Sequence, residues 1–170
     1  MANNAWRHPA NSAVAQVWKG TITTTTNGHT YIVTLTDDNG DTAAITYTVS
    51  NPPDTTVTLV ATGFITAWNA SSNPLIAGIT ASQSSGQVIL TADSAGVPFS
   101  AAATGTGTWS GTGNTTSNVG NNDFNTARNW QLDAVPVATD DVLFESASSN
   151  VNVTYGLNQS SVAIADLRVF

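Results

Sequence analysis

Between Tyr31 and Val49 the apolar side chains fall on every second residue, and that period of two constrains the chain more than any other feature. Tyr31, Val33 and Leu35 are in phase, as are Ala43, Ile45, Tyr47 and Val49 beyond Asp37-Asp38-Asn39-Gly40-Asp41. Such alternation places apolar groups on one face of a pleated strand and the intervening Thr residues on the other. A two-residue Asn39-Gly40 turn would set Val33 opposite Thr46 and divide the apolar set between faces. A three-residue loop, Asp38-Asn39-Gly40, sets Val33 opposite Ile45 and Tyr31 opposite Tyr47. It also puts Gly40 at the left-handed position of a type I turn plus G1 bulge. The longer loop is therefore expected. The same logic at Asn27-Gly28 predicts a type I′ hairpin with Thr24 opposite Tyr31, Ile22 opposite Val33 and Gly20 opposite Leu35.

Pro52-Pro53 ends this run, and Asp54 is expected to cap a helix by accepting a backbone N–H bond. Val57, Val60, Ala61, Phe64, Ile65 and Trp68 recur at helical spacing as one apolar stripe. Many Thr residues lower the helix propensity, so packing of the stripe must hold the helix. Asn69 to Pro74 stops it. Ile79–Ser82 and Gln87–Ala92, joined through Ser-Ser-Gly, predict another hairpin, and Val97-Pro98-Phe99 closes the unit. The expected fold is mainly β with one helix. An arm (1–13) precedes an α+β module (14–103) of order β-β-β-α-β-β, an antiparallel sheet plus helix. Residues 104–122, rich in Gly, Thr, Ser and Asn, offer little beyond Trp109 to bury and are expected as a linker or loop. Residues 123–170 are expected to form a small all-β segment, β-solenoid-like or sandwich-like, with strands at Asp141–Glu145, Val151–Tyr155 and Val162–Phe170. The last of these stops in mid-strand, so either the chain continues past Phe170 or the strand pairs with a neighbouring subunit.

Charge separates the function classes. Lys plus Arg number 4 against 11 acids, a net charge of −7, and charged residues are 9% of the chain, against ~25% in a usual soluble protein. Four scattered cations cannot make the basic face that phosphate neutralisation requires, which argues against nucleic acid. No apolar run approaches the roughly 18 residues of a membrane span. Met1–Ala10 lacks a basic-then-apolar leader, and with no Cys there are no disulfides or thiolate sites.

Reactive groups do not converge in the sequence. Asp37-Asp38-Asn39-Gly40-Asp41 lacks the alternating ligands and distal Glu of an EF-hand. Asp141 and Glu145 would share a strand face beside Asp140, yet turn hydrogen bonding before Val142 is the simpler role for these acids. His8 and His29 read as surface residues. There is no Gly-x-Ser-x-Gly elbow, and Gly105, Gly107, Gly111 and Gly113 have neither a strand before them nor a Lys after. Neither a metal nor a cofactor is expected. Trp68 and Trp130 are expected in the core, whereas Trp6 in the arm and Trp109 in the Gly/Thr-rich stretch are interface candidates. The sequons at Asn69, Asn114, Asn152 and Asn158 are what this composition yields by chance.

Two stretches resemble a known group of proteins. Val14-Ala15-Gln16-Val17, Asp54-Thr55-Thr56-Val57, Trp68-Asn69-Ala70-Ser71, Ile79-Thr80-Ala81-Ser82 and Leu90–Phe99 resemble a small module of large structural proteins from tailed phages, prophage-like regions and planctomycete-type bacteria. Asn125–Trp130, Val135-Pro136, Asp140-Asp141-Val142 and Tyr155–Ser160 are similar to the part that follows it. That part is also similar to the opening rung of extracellular β-solenoid adhesins. The resemblance implies an N-terminal portion or shortened version of such a protein. It implies a non-enzymatic structural protein on the surface of a phage-like virion (capsid decoration, head fibre or tail fibre). The alternative is a cell-surface adhesin that binds glycan. Partners would be copies of itself, as a homo-oligomer with a trimer as the form expected of a solenoid or fibre start, and other virion proteins. Contacts would be made through Trp6, Trp109 and the edge residues Val162, Ile164, Leu167, Val169 and Phe170. A glycan-cleaving enzyme using Asp140, Asp141 or Glu145 is a third, weaker reading.

Overall fold

The computed structural model describes residues 3–6, 13–37, 40–120, 122–144, 153 and 166–169. In chain order the first strands are β1 (Asn3–Ala5), β2 (Val17–Ile22), β3 (Thr30–Thr36) and β4 (Thr42–Thr48). Helices α1 (Val57–Asn69) and α2 (Pro74–Ala77) follow, then β5 (Ile79–Ser84), β6 (Gln87–Ala92), β7 (Ser100–Thr104) and β8 (Trp109–Thr116). A single 3-10 turn, Ala127–Asn129, precedes β9 (Asp141–Phe144) and β10 (Asp166–Val169). The fold is mainly β with one main helix. Two compact units divide the chain: one comprises Ala15–Ser94 and Phe99–Ser117, the other Met1–Val14, Ala95–Pro98 and Asn118–Phe170.

The first unit holds two antiparallel sheets, of order β5-β6-β2-β8 and β4-β3-β7. Tyr31, Val33 and Leu35 of β3 are fully buried, as the alternation requires. The β3–β4 register sets Val33 opposite Ile45 and Tyr31 opposite Tyr47. The Asp37 N–H donates to the Asp41 carbonyl at 3.0 Å, and Gly40 takes φ +86°. The longer, glycine-ended loop is thus formed, though Asp38 and Asn39 lie outside the described residues. Ser84 pairs with Gln87 in the β5–β6 hairpin, leaving Ser85 and Gly86 at φ 50° and 83°, the left-handed pair of a type I′ turn.

The first hairpin does not form. β2 pairs with β6 and β8, whereas β3 pairs with β4 and β7. The turn at Asn27-Gly28 carries the chain from one sheet to the other, with Gly28 N–H donating to the Val49 carbonyl at 2.9 Å. Alternation reports which side chains face inward and says nothing about the lateral neighbour. Trp18 and Ile22 of one sheet and Tyr31, Val33 and Leu35 of the other meet in the same core, so a single sheet was the wrong arrangement of correctly chosen faces.

Helix α1 lies against β4 of one sheet and β5 and β6 of the other, burying Val60, Ala61, Phe64 and Trp68. Its cap is Thr56, whose side chain accepts from Leu59 N–H at 3.2 Å, and not Asp54. Asp54 is itself buried and serves the strand end instead, as described below. The expected linker also fails as a reading. Within residues 104–122 lies β8, a sheet-edge strand on β2 with two register shifts. Its residues are mostly exposed, so apolar burial was the wrong criterion. The ladder to β2 orders it, and Thr side chains secure its approach: Thr23 Oγ1 donates to the Thr108 carbonyl at 2.9 Å, and Thr30 N–H to Thr106 Oγ1 at 2.9 Å.

In the second unit β1, β9 and β10 form a parallel sheet in that order of strands, with β9 central. Asn4 aligns with Val142, and Val142 with Leu167. Parallel neighbours are what stacked solenoid rungs present, whereas sandwich sheets are antiparallel. Trp6, Phe124, Trp130 and Val142 form the core, with Val135, Phe144 and Val153 packed around it. Trp130 meets Trp6 edge-on at 5.0 Å and Phe124 at 4.8 Å between ring centroids, and its Nε1–H donates to the Phe124 carbonyl at 2.8 Å. The described start of the expected arm is therefore strand β1 followed by a core Trp.

Candidate functional site

The residues singled out for contact separate into core and edge. Trp6 is 1% exposed and belongs to the core of its unit, so it is not available as an interface residue. The reading as an arm failed because a short Asn/Ala run has no period; parallel pairing with β9 is a non-local interaction invisible in sequence. Trp109 is half-buried. It meets Tyr31 at 5.2 Å, Phe64 at 5.9 Å and Trp18 at 6.3 Å, all edge-to-face, and its Nε1–H donates to the Thr104 carbonyl at 2.9 Å. An indole packed against three rings and tied to backbone has little free face for a sugar. Val162, Ile164 and Phe170 lie outside the described residues.

Leu167 and Val169 remain. They are 56% and 74% exposed and lie on β10, which pairs with β9 along one edge while no described strand pairs with the other. Because Val142 and Phe144 of β9 reach the core and pair with Leu167 and Val169, the two exposed side chains extend that apolar column outward. The opposite face of β10 carries Asp166 and Arg168, whose Oδ2 and Nε are 2.7 Å apart. The hydrogen bond from Arg168 holds the Asp166 carboxyl below the usual carboxylate range, and Asp166 in turn, with a further contribution from Asp141, raises the affinity of Arg168 for its proton. The far edge of the sheet is engaged at the Ala5 carbonyl and the Asn4 side chain. Gln131 N–H donates to the Ala5 carbonyl at 2.8 Å, Leu132 N–H to Asn4 Oδ1 at 3.2 Å, and Asn4 Nδ2 to the Ala134 carbonyl at 2.9 Å.

Of the acids considered for chemistry, Asp140 holds backbone. Asp140 Oδ2 accepts from Val137 N–H at 3.0 Å, the turn role expected of it, and Glu145 lies outside the described residues. Buried Asp123 accepts from Asn125 N–H at 2.9 Å and Asn118 Nδ2 at 2.8 Å. Asn129, fully buried, donates to the Gly120 and Asp123 carbonyls at 2.8 and 2.9 Å. This knot positions Trp130 and was missed because Asn and Asp so close together read simply as loop. Among the described residues no group of three His, Cys, Asp or Glu is placed to hold a metal ion. No described helix is long and apolar enough to cross a membrane. His29 is half-buried beside the end of β4, with its carbonyl accepting from Val49 N–H at 2.8 Å. His8 lies outside the described residues.

One partly buried pair has a pH signature. Tyr47 donates its hydroxyl to Asp54 Oδ2 at 2.8 Å, and the same oxygen accepts from Ser50 N–H at 2.8 Å. Burial, and next the bond to Asp54, push the Tyr47 hydroxyl from 10.0 up to about 12. Stability from the neutral hydroxyl is thus fully present below pH 10 and lost as pH rises through about 12. Tyr47→Phe should cost about 1–3 kcal/mol at neutral pH, because Asp54 keeps its burial and loses a donor. Chemical denaturation of both proteins between pH 8 and 12 checks this: the gap between them should shrink over the upper part of that range.

No family model matches the chain, and no curated protein matches it.

Proposed function

We propose that the protein is a non-enzymatic structural component of a phage-like virion, placed on the capsid or tail surface and held there by contacts with copies of itself and with other virion proteins. The observation that carries this reading is β10: a strand with two exposed apolar side chains and an outer edge against which no described strand pairs, in a chain poor in charge. Native proteins usually protect an edge with charge, Pro or a covering loop; on β10 Asp166 and Arg168 supply charge on one face and leave Leu167 and Val169 bare on the other, where another strand could be added. The turn role of Asp140, and the resemblance of Asp54–Val57 and Asn125–Trp130 to phage structural proteins, support the same reading. The half-buried Trp109 ranks a glycan-binding adhesin second.

Antibody labelling of purified particles in negative-stain images tests the proposal. Label in a regular array on heads or tails is the expected result. Particles that never carry label, with the protein recovered only in the free fraction, would overturn it.

A further inference from the structure

Of the two outer edges of the parallel sheet, that of β10 has no described strand against it. At the outer edge of β1 the Ala5 carbonyl already accepts from Gln131 N–H, Trp6 bridges Trp130 in antiparallel sense, and the Asn4 side chain is tied to Leu132 and Ala134. A head-to-tail filament, in which β10 of one copy meets β1 of the next, would have to displace the contact at Ala5. What remains self-complementary is β10 against β10.

Resting on the structural reading above, we infer that two copies of the chain associate through their β10 strands in antiparallel register about Leu167. Two-fold symmetry makes such a contact isologous and closed. With Leu167 opposite the partner's Leu167, the strand's charges become complementary: Asp166 faces the partner's Arg168, and Arg168 faces the partner's Asp166. Directly opposed side chains in an antiparallel pair are about 4.5–5.5 Å apart, within reach of both the apolar and the charged pairs. Leu167 and Val169, now 56% and 74% exposed, come onto one continuous apolar face shared by the two copies. The within-strand Asp166–Arg168 contact of 2.7 Å is replaced by, or shared with, two such contacts across the dimer. Shifting the register by one residue would set Leu167 opposite Arg168 and separate like from like, so the charges select the register as well as the partner.

The chain contains no Cys, so single cysteines report register cleanly. Leu167→Cys in the full chain should give a disulfide-linked dimer on mild oxidation, since the two Cα atoms lie within the roughly 4.4–6.8 Å that a disulfide spans. Val169→Cys should not, its two copies being displaced by four residues, or about 13 Å along the strands. Sedimentation equilibrium supplies the second arm. Asp166→Arg alone and Arg168→Asp alone should each weaken dimerisation at least tenfold, and the double swap should return it to within about twofold of the parent. Folding of each variant is read from near-ultraviolet circular dichroism; for one that does not fold, Arg168→Gln replaces it with the same expectation. Equal cross-linking at 167 and 169, no cross-linking at 167, species larger than dimers, or a double swap as weak as the singles would each overturn the inference. Those results leave the virion reading standing if particles still carry label. Dimers in solution with unlabelled particles would overturn the virion reading and leave the interface.

Discussion

Trp130→Ala should unfold the unit built on β1, β9 and β10 while the two-sheet unit stays native. Trp130 is fully buried and touches Trp6, Phe124 and Phe144, so every other ring of that small core loses a contact at once and only the Trp6–Phe144 ring pair is kept. Large-to-small changes at such a site cost about 3–5 kcal/mol, the transfer term plus the cavity. That is a sizeable part of the 5–15 kcal/mol typical of whole domains. The hydrogen bond from Nε1 to the Phe124 carbonyl is lost as well, leaving a buried acceptor. Native-state hydrogen exchange resolves the outcome: amides of Trp6 and Asp141–Phe144 should lose protection, and those of Tyr31–Leu35 should keep it. Uniform loss in both groups would contradict the division of the chain into two cores.

Gly63→Ala is the second large effect, and two terms of opposite sign meet in it. Gly63 lies inside α1, where Ala is favoured by roughly 1 kcal/mol. A Cβ at this position, however, would overlap the ring and the hydroxyl oxygen of Tyr47. Relieving that overlap displaces the hydroxyl from Asp54 and forces β4 away from the helix. Overpacking costs about 1–3 kcal/mol and the orphaned Asp54 a similar amount. The steric side wins, for a net loss of roughly 2–4 kcal/mol. Thermal unfolding checks the sign. Pairing the change with Tyr47→Phe should recover part of the loss, because the smaller ring edge frees space and the bond is already gone. A stabilised Gly63→Ala would mean that the helix and β4 do not approach as described.

How much of this was readable beforehand follows from the range of the interactions. The Val33–Ile45 register came from sequence because turn length and alternation are local and had to agree. The α1 stripe came through for the same reason, as Val60, Ala61, Phe64 and Trp68 lie within one helix. The cap moved from Asp54 to Thr56 because two good capping residues stood near the start, and Tyr47, seven residues back, claimed the carboxylate. What stayed hidden was lateral: β2 against β6 and β8, or β1 against β9, are choices among partners far along the chain. No periodicity encodes them. At the candidate site Leu167 and Val169 were visible as an alternating strand end, whereas the contacts at the other edge depend on Gln131, Leu132 and Ala134 meeting Asn4 and Ala5 across most of the sequence.

Strand β1 has a consequence for how the molecule is made. Asn3–Ala5 leaves the ribosome well before its partner β9, with the two-sheet unit, Ala15–Ser94 with Phe99–Ser117, translated between them. Domains generally fold as units during synthesis. Strand β1 must therefore wait for its partner until β9 has emerged, and the unit encoded between the two strands can assemble before the parallel sheet does.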